Sequence, residues 1–362
     1  MNIKLSKLEL TYYIGLILLC ILNWEFFSKI LEFPDIIKNV LTAAILACFL
    51  YTILKSNYST RNLIKVIIVL LLSLVSSFFS KEYFIFLTTF AVISAKNVNK
   101  NTILKIILFI NTFFLFIHFM LSFAGLVANK KIYVTYYDGI ARQTLNLRHP
   151  NYLAAILFWN LACYNYVSKN NKIIKILLSI LVLILMYYLT HSRTTILLFA
   201  LLIMYEIFEN KLQNKGKIIK LFMIIFIVIQ LYISYFCSVS MIYNNNVLNT
   251  INEFLSQRLY FNSLAVANYN IAILGNSIDS SSTQIIVDSF YVSCLVQYGI
   301  YNLIICIISY LKLDNSSIKE IAYMTLVIIT GLTERYIIYT SIAFPLLFLS
   351  NGFAKKENLY EK

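Results

Sequence analysis

Apolar residues in this chain are gathered into runs of helical length instead of alternating with polar ones. Twelve runs stand out, near 10–28, 37–54, 63–79, 83–95, 103–127, 151–168, 173–190, 194–209, 218–237, 289–310, 318–333 and 337–351. A helix that crosses a bilayer needs about 17–25 residues, which leaves the fourth run short. No window alternates over about ten residues as a lipid-facing barrel strand would. The pattern predicts an all-α, polytopic integral membrane protein of about twelve transmembrane helices, with residues 1–362 forming a single transmembrane domain. Lys4 and Lys7 ahead of the first run imitate a signal peptide. No small-x-small cleavage site precedes Trp24 and Glu25, so the run reads as a retained span.

Composition agrees: 60% of the 362 residues are hydrophobic and 13% charged, against roughly half and a quarter in soluble proteins. The formal charge of +14 raises the question of a nucleic-acid partner. With a cytoplasmic N-terminus, the inner connections hold 20 of the 30 Lys and Arg, and the net charge is +13 inside against +1 outside. That is the positive-inside pattern, so the excess reads as topology, with both termini cytoplasmic and no nucleic acid required. Cysteines 20, 48, 163, 237, 294 and 306 lack a Cys-x-x-Cys spacing and read as packing residues, not as disulfides or a zinc site. No glycine-rich nucleotide loop is present.

Candidate chemistry gathers on the outward connections, above all the loops of about 129–150 and 238–287. Loops this long in a compact protein are commonly functional or disordered. The first ends at Arg148-His149-Pro150, with Arg142 just before. Proline suits the first position of a helix, and the free N–H groups of that helix start suit an anion; a basic loop end that merely sets the helix start is the plainer reading. In the second loop Val247, Leu248, Ile251, Phe254, Leu255 and Leu259 share one face of a predicted helix. Arg258 falls within that apolar arc. It either snorkels to the interface or meets a buried anion, and spacing leaves both open. The turns His191-Ser192-Arg193-Thr194 and Thr333-Glu334-Arg335 add charge at the same level, or simply anchor the interface. Asp288 is expected to cap the tenth span. His118 stands alone inside the fifth span, and Glu206 and Glu209 are expected to pair near Lys211.

Arginine suits bidentate phosphate contact. A helical membrane protein with Arg142, Arg148, Arg193 and Arg258 as cations, and His149, His191, Asp288 or Glu334 as proton acceptors, would suit a lipid-diphosphate substrate. At this point the sequence resembles the bacterial Wzy-type polysaccharide (O-antigen or capsule) polymerases, relatives of the O-antigen ligases, over roughly residues 140–340. Arg142-Gln-Thr-Leu-Asn-Leu-Arg-His-Pro-Asn151 is similar to the family's Arg-x-x-Leu-Gly-Phe-x-His-Pro-Asn, with Asn146 for the glycine, Leu147 for the aromatic and Arg148 at a variable position. His191-Ser-Arg-Thr194, Phe254-Leu-Ser-Gln-Arg258 with Ile273-Leu-Gly275, Asp288-Ser-Phe-Tyr291 with Tyr298-Gly299, and Gly331-Leu-Thr-Glu334 resemble its later motifs in order.

The resemblance implies a GT-C-like glycosyltransferase of the bacterial cytoplasmic membrane, without cofactor or obligatory metal. It would transfer a growing glycan from undecaprenyl diphosphate to a new lipid-linked repeat unit on the outer side. A flippase and a chain-length regulator are the implied partners. By matching motif, Arg142, Arg193 and Arg258 would hold diphosphates; Arg148 joins them on local physics alone. His149 leads as base, with Asp288 and Glu334 next. The competing readings are an O-antigen ligase with another acceptor, and a flippase or other transporter, which would concentrate its polar residues at mid-membrane.

Overall fold

A computed structural model describes residues 6–24, 34–126, 131–133, 141–145, 147, 149–278, 287–313 and 318–353. In chain order the helices are α1 (Lys7–Asn23), α2 (Asp35–Lys55), α3 (Thr60–Ser80), α4 (Phe84–Ser94), α5 (Lys100–Phe123), α6 (Pro150–Val167), α7 (Lys172–Thr190), α8 (Arg193–Leu212) and α9 (Gly216–Phe236). Then follow α10 (Val239–Asn244), α11 (Asn246–Phe254), α12 (Arg258–Asn268), α13 (Phe290–Val296), α14 (Ile300–Leu311) and α15 (Ile318–Thr333). Two short strands, β1 (Lys131–Tyr133) and β2 (Ala141–Gln143), pair antiparallel before α6. The structure is about 80% helical. Among the described residues, α2, α3, α5, α7 and α9 are long and apolar enough to cross a membrane. The protein is an all-α, membrane-embedded one.

Two of the predicted runs are not continuous α-helices. The run 289–310 is broken into α13 and α14 at Gln297–Gly299. The run 337–351 is 3-10 helix in two pieces, Arg335–Ile338 and Phe344–Phe353. The fourth run folds as the 11-residue α4, too short to cross a bilayer by itself.

The chain divides into two compact units. The first comprises Met1–Ser56, Asn97–Lys211 and Tyr339–Phe344. Its centre is α6, buried almost all round from Tyr152 to Cys163, as a helix with no polar face must be. Phe158 meets Phe199 of α8 edge-on with ring centres 5.2 Å apart. Several polar side chains in this interior are bonded to other protein groups, since an unpaired one is costly there. Asn111 of α5 donates to the Ser341 carbonyl at 2.7 Å, and Asn23 donates to the Ser341 hydroxyl at 3.2 Å. At the other end of α7 and α8, Glu206 lies 4.0 Å from Lys175, which corrects the expected pairing with Lys211. Lys175 lies in the first turn of the neighbouring α7, where sequence spacing gives no contact.

The second unit comprises Asn57–Lys96, Leu212–Ile338 and Pro345–Lys362. Buried Ser73, Ser76, Ser77 and Ser80 form a small-residue side of α3, against which the α13–α14 break is seated. The Ser76 hydroxyl donates to the Tyr298 carbonyl at 2.5 Å, and Asn302 donates to the same carbonyl at 2.7 Å. An extended stretch, 272–276, supplies the remaining partners. Ala272 N–H donates to the Leu295 carbonyl, Asn276 N–H to the Gln297 carbonyl, and Ile300 N–H to the Ala272 carbonyl. Non-helical backbone at membrane depth survives only where protein satisfies it. Ala265, Val287, Val292, Leu295 and Val296 close an apolar core on the other side, with Leu231 of α9 and Val266 of α12 packed against it.

The break requires Gly299. Its φ is +93°, and a Cβ there would stand 2.6 Å from the Ile273 carbonyl oxygen. Gly299→Ala therefore meets strain and a backbone clash together. The expected cost is about 1–3 kcal/mol, read as a lower melting temperature in detergent; an unchanged melting temperature contradicts this account of the break.

Candidate functional site

In the first unit the basic loop end is built around Arg142 on β2. The backbone carbonyl of Thr190, at the end of α7, has no partner within its helix. Arg142 Nε donates to it at 2.5 Å, while Nη2 donates to the Asn151 side chain in the first turn of α6. The guanidinium thus ties the start of α6 to the end of α7, and the residue is only 7% exposed. Its fork is engaged by the fold itself.

Pro150 takes the first position of α6, as its sequence suggests, and His149 is the N-cap. His149 Nδ1 accepts the Asn151 N–H at 3.1 Å. A neutral imidazole that accepts at Nδ1 carries its proton on Nε2 and is a donor there. One of the helix-start amides expected to meet an anion is therefore occupied by the imidazole. His191, with φ +47°, ends α7, and Arg193 follows at the exposed first position of α8. Arg142 therefore brings itself, His149 and the His191–Arg193 turn to one end of this unit. Arg148 lies outside the described residues.

In the second unit the predicted amphipathic helix over 247–259 is interrupted. Helix α11 stops at Phe254, and Ser256 (φ +56°) and Gln257 (φ +63°) turn the chain before Arg258 opens α12. The Asn252 side chain accepts Tyr260 N–H at 3.0 Å and Gln257 N–H donates to the Asn252 carbonyl at 2.7 Å. These bonds hold the corner. Arg258 does not belong to the apolar arc of α11; it meets protein carboxylates. Its Nη2 lies 2.6 Å from Glu334 Oε1, and its Nε is 3.9 Å from Asp288 Oδ2. The arginine side chain is 11% exposed, Glu334 8% and Asp288 40%.

Gln230, on α9, sets the two carboxylates side by side. Its amide donates to the Ser289 hydroxyl at 2.9 Å and to the Leu332 carbonyl at 2.8 Å. Ser289 donates to the Gly331 carbonyl at 3.2 Å, and Tyr291 to the Ile328 carbonyl at 2.8 Å. Helices α13 and α15 are thereby clamped, with Asp288 just before the first and Glu334 just after the second. Ser289, not Asp288, is the N-cap residue of α13, and no side chain caps that helix. The expected capping role of Asp288 is corrected: its carboxylate faces Arg258.

Sequence reasoning left two members out of the site. Arg335 stands in the electrostatic field of Glu82, Asp288, Tyr298 and Tyr336. Among the described residues its guanidinium has no hydrogen-bond or ion-pair partner. Burial raises the Asp288 carboxyl above its ordinary value, and Arg258 and Arg335 pull it part of the way back. Burial also pulls Arg335 down, but Tyr298 and Tyr336, once ionised, and the Glu82 and Asp288 carboxylates more than offset this and hold it above the ordinary arginine value. The available signal was position: Glu82 and Arg335 both sit in tight turns between apolar runs. Among the described residues, no group of three or more His, Cys, Asp or Glu is arranged to hold a metal ion.

No family model, curated protein or solved structure matches this chain.

A lysine in place of Arg142 cannot reach both the Thr190 carbonyl and Asn151. Arg142→Lys is expected to cost about 1–3 kcal/mol, measured as thermal or protease stability, whereas Arg193→Lys at its exposed position leaves stability unchanged. Equal effects from the two contradict the structural role of Arg142.

Proposed function

We propose that the protein is a membrane glycosyltransferase of the polysaccharide-polymerase kind. In this reading it is GT-C-like, with about twelve membrane crossings, both termini in the cytoplasm and the site on the outer side of the bacterial cytoplasmic membrane. It moves a growing glycan from undecaprenyl diphosphate to the free end of a new lipid-linked repeat unit. Partners would be a flippase that delivers the repeat and a chain-length regulator. The observation that carries the reading is the Arg258–Glu334–Asp288 cluster, a polar centre assembled from three motifs that resemble the polymerase pattern in order.

Asp288 is the best-placed base. It is part exposed, and burial raises its carboxyl, which makes the ionised form a stronger proton acceptor. It would take the proton of an acceptor sugar hydroxyl as that oxygen attacks the anomeric carbon of the donor. The bond from that carbon to the diphosphate oxygen then breaks, and the lipid diphosphate leaves with the electron pair. Developing charge on the leaving oxygen needs fixed cations and donors. Arg335, beside Asp288 in the same unit, would serve there. Glu334 keeps Arg258 fixed and is a positioning residue in this scheme.

A second reading, a lipid-linked oligosaccharide flippase, is favoured by the broken α13–α14 helix, because transporters bind cargo at such breaks. The carbonyls of this break are bonded to residues 272–276 and to α3 instead of lining an open path. A ligase would share the chemistry and differ in acceptor.

Purified protein incubated with lipid-linked repeats is expected to form a ladder of polymers without ATP. Repeats translocated but unjoined would favour the flippase, and transfer only to a foreign acceptor the ligase. Arg258→Ala should lower polymer yield per folded molecule at least about 100-fold, and Arg258→Lys should also lose activity because a point charge cannot replace the fork.

The pH profile tests the base. A base works ionised, so activity falls as pH drops through the raised Asp288 value. Arg335→Met removes a cation that lowers this value, and the acid limb should move to higher pH. An acid limb that stays in place removes Asp288 from the role.

A further inference from the structure

Helix α11 is turned inside out for a helix on a water-facing surface. Val247 and Phe254 are each 68% exposed and Ile251 41%, and at 100° per residue the three fall within about 60° of one another. Asn252, on another side, is buried and accepts Tyr260 N–H. Asn249 and Glu253 project on the side opposite the apolar three. Helices on soluble surfaces bury their apolar side and expose the polar one. This one has three directions: apolar outward, Asn252 toward the protein, and a polar side facing away from the apolar one.

Connectivity says what medium the apolar side meets. Helix α9 has 21 residues, about 31 Å at 1.5 Å per residue, which matches a hydrocarbon core of about 30 Å. Its exposed Tyr232, Tyr235 and Phe236 lead to the exposed Met241 and Tyr243 of α10, so the apolar outer surface continues from a spanning helix toward α11. Cys237 and Ser238 alone separate α9 from α10, and Asn245 alone separates α10 from α11. With six residues, α10 adds roughly 9 Å. After α11 the chain returns beside α9, where Leu231 packs in one core with Ala265 and Val266 of α12. The start and end of α11 are thus both tied to the last turns of a membrane-spanning helix.

We propose that α11 lies in the bilayer interface, with Val247, Ile251 and Phe254 among lipid acyl chains and Asn249 and Glu253 toward water. Three residues, Leu255 to Gln257, join it to Arg258, so the helix fixes the guanidinium near headgroup depth, where the phosphates of a lipid-linked substrate lie. The placement of α11 stands independently of the proposed reaction; its consequence for substrate rests on that reading.

Phe254→Trp and, separately, Val247→Trp report on this in phosphatidylcholine nanodiscs made with lipids brominated high on the acyl chain. The two native tryptophans, Trp24 and Trp159, are buried, and their background is measured in the parent protein. Asn249→Trp is the control on the polar side. The added emission at 254 and 247 should be blue-shifted and mostly lost in brominated lipid, while that at 249 stays red-shifted and unquenched. Blue-shifted but unquenched emission at both positions would mean that protein covers the face, for instance a second copy, and would overturn the proposal. Red-shifted, unquenched emission at both would mean water and overturn it equally. None of these readings depends on glycosyl transfer, so a failure here is distinguishable from a failure of the polymerase reading.

Discussion

An ion pair out of water organises the second unit. Arg258 and Glu334 stand 2.6 Å apart with side chains 11% and 8% exposed. Desolvating both charges is expensive, and only close geometry with further hydrogen bonds repays it. The surrounding structure supplies that geometry. The Ser256–Gln257 corner aims Arg258, Gln230 and Ser289 fasten α13 to α15, and Asp288 brings a second carboxylate to the guanidinium. A pair retained at this energetic cost fits a site that needs polar groups held still, since packed apolar residues of similar volume are often as stable or more so.

The first unit applies the same constraint in another way. Helix ends inside an apolar protein leave carbonyl and N–H groups without partners. Arg142 answers one such end at Thr190, His149 answers one at Asn151, and Ser341 is bonded by two asparagines from different helices. Polar residues here are first of all the means by which non-helical segments persist at depth. Their availability for substrate depends on what remains uncommitted, which is why half-buried Arg335 gains weight over Arg142.

Long elements were legible because their signal is periodic and repeated. The limits of α2, α3, α5, α7 and α9 follow the apolar runs to within four residues, and Pro150 marked the start of α6. Interruptions were not legible, because a break of three residues scarcely changes an apolar average. Gly299 in an apolar run reads as a tolerated glycine until Ile273 is seen against it, and Ser256-Gln257 carries no turn signature such as Asn-Gly. The candidate site was legible as a set of charges on connections, which gave Arg258, Asp288 and Glu334 but not their mutual contact. Spacing also gave the wrong partner for Glu206, because Lys175 reaches it from another helix. Arg335 was passed over since a lone arginine in a tight turn looks the same whether it anchors an interface or joins a cluster.

Arg258 and Glu334 depend on each other. A double-substitution cycle with Arg258→Met and Glu334→Met, read by reversible unfolding in mixed micelles, tests it most directly. Each single change should cost about 3–5 kcal/mol because it strands a buried charge, and the double change should cost much less than the two together. Simply additive costs would contradict the account.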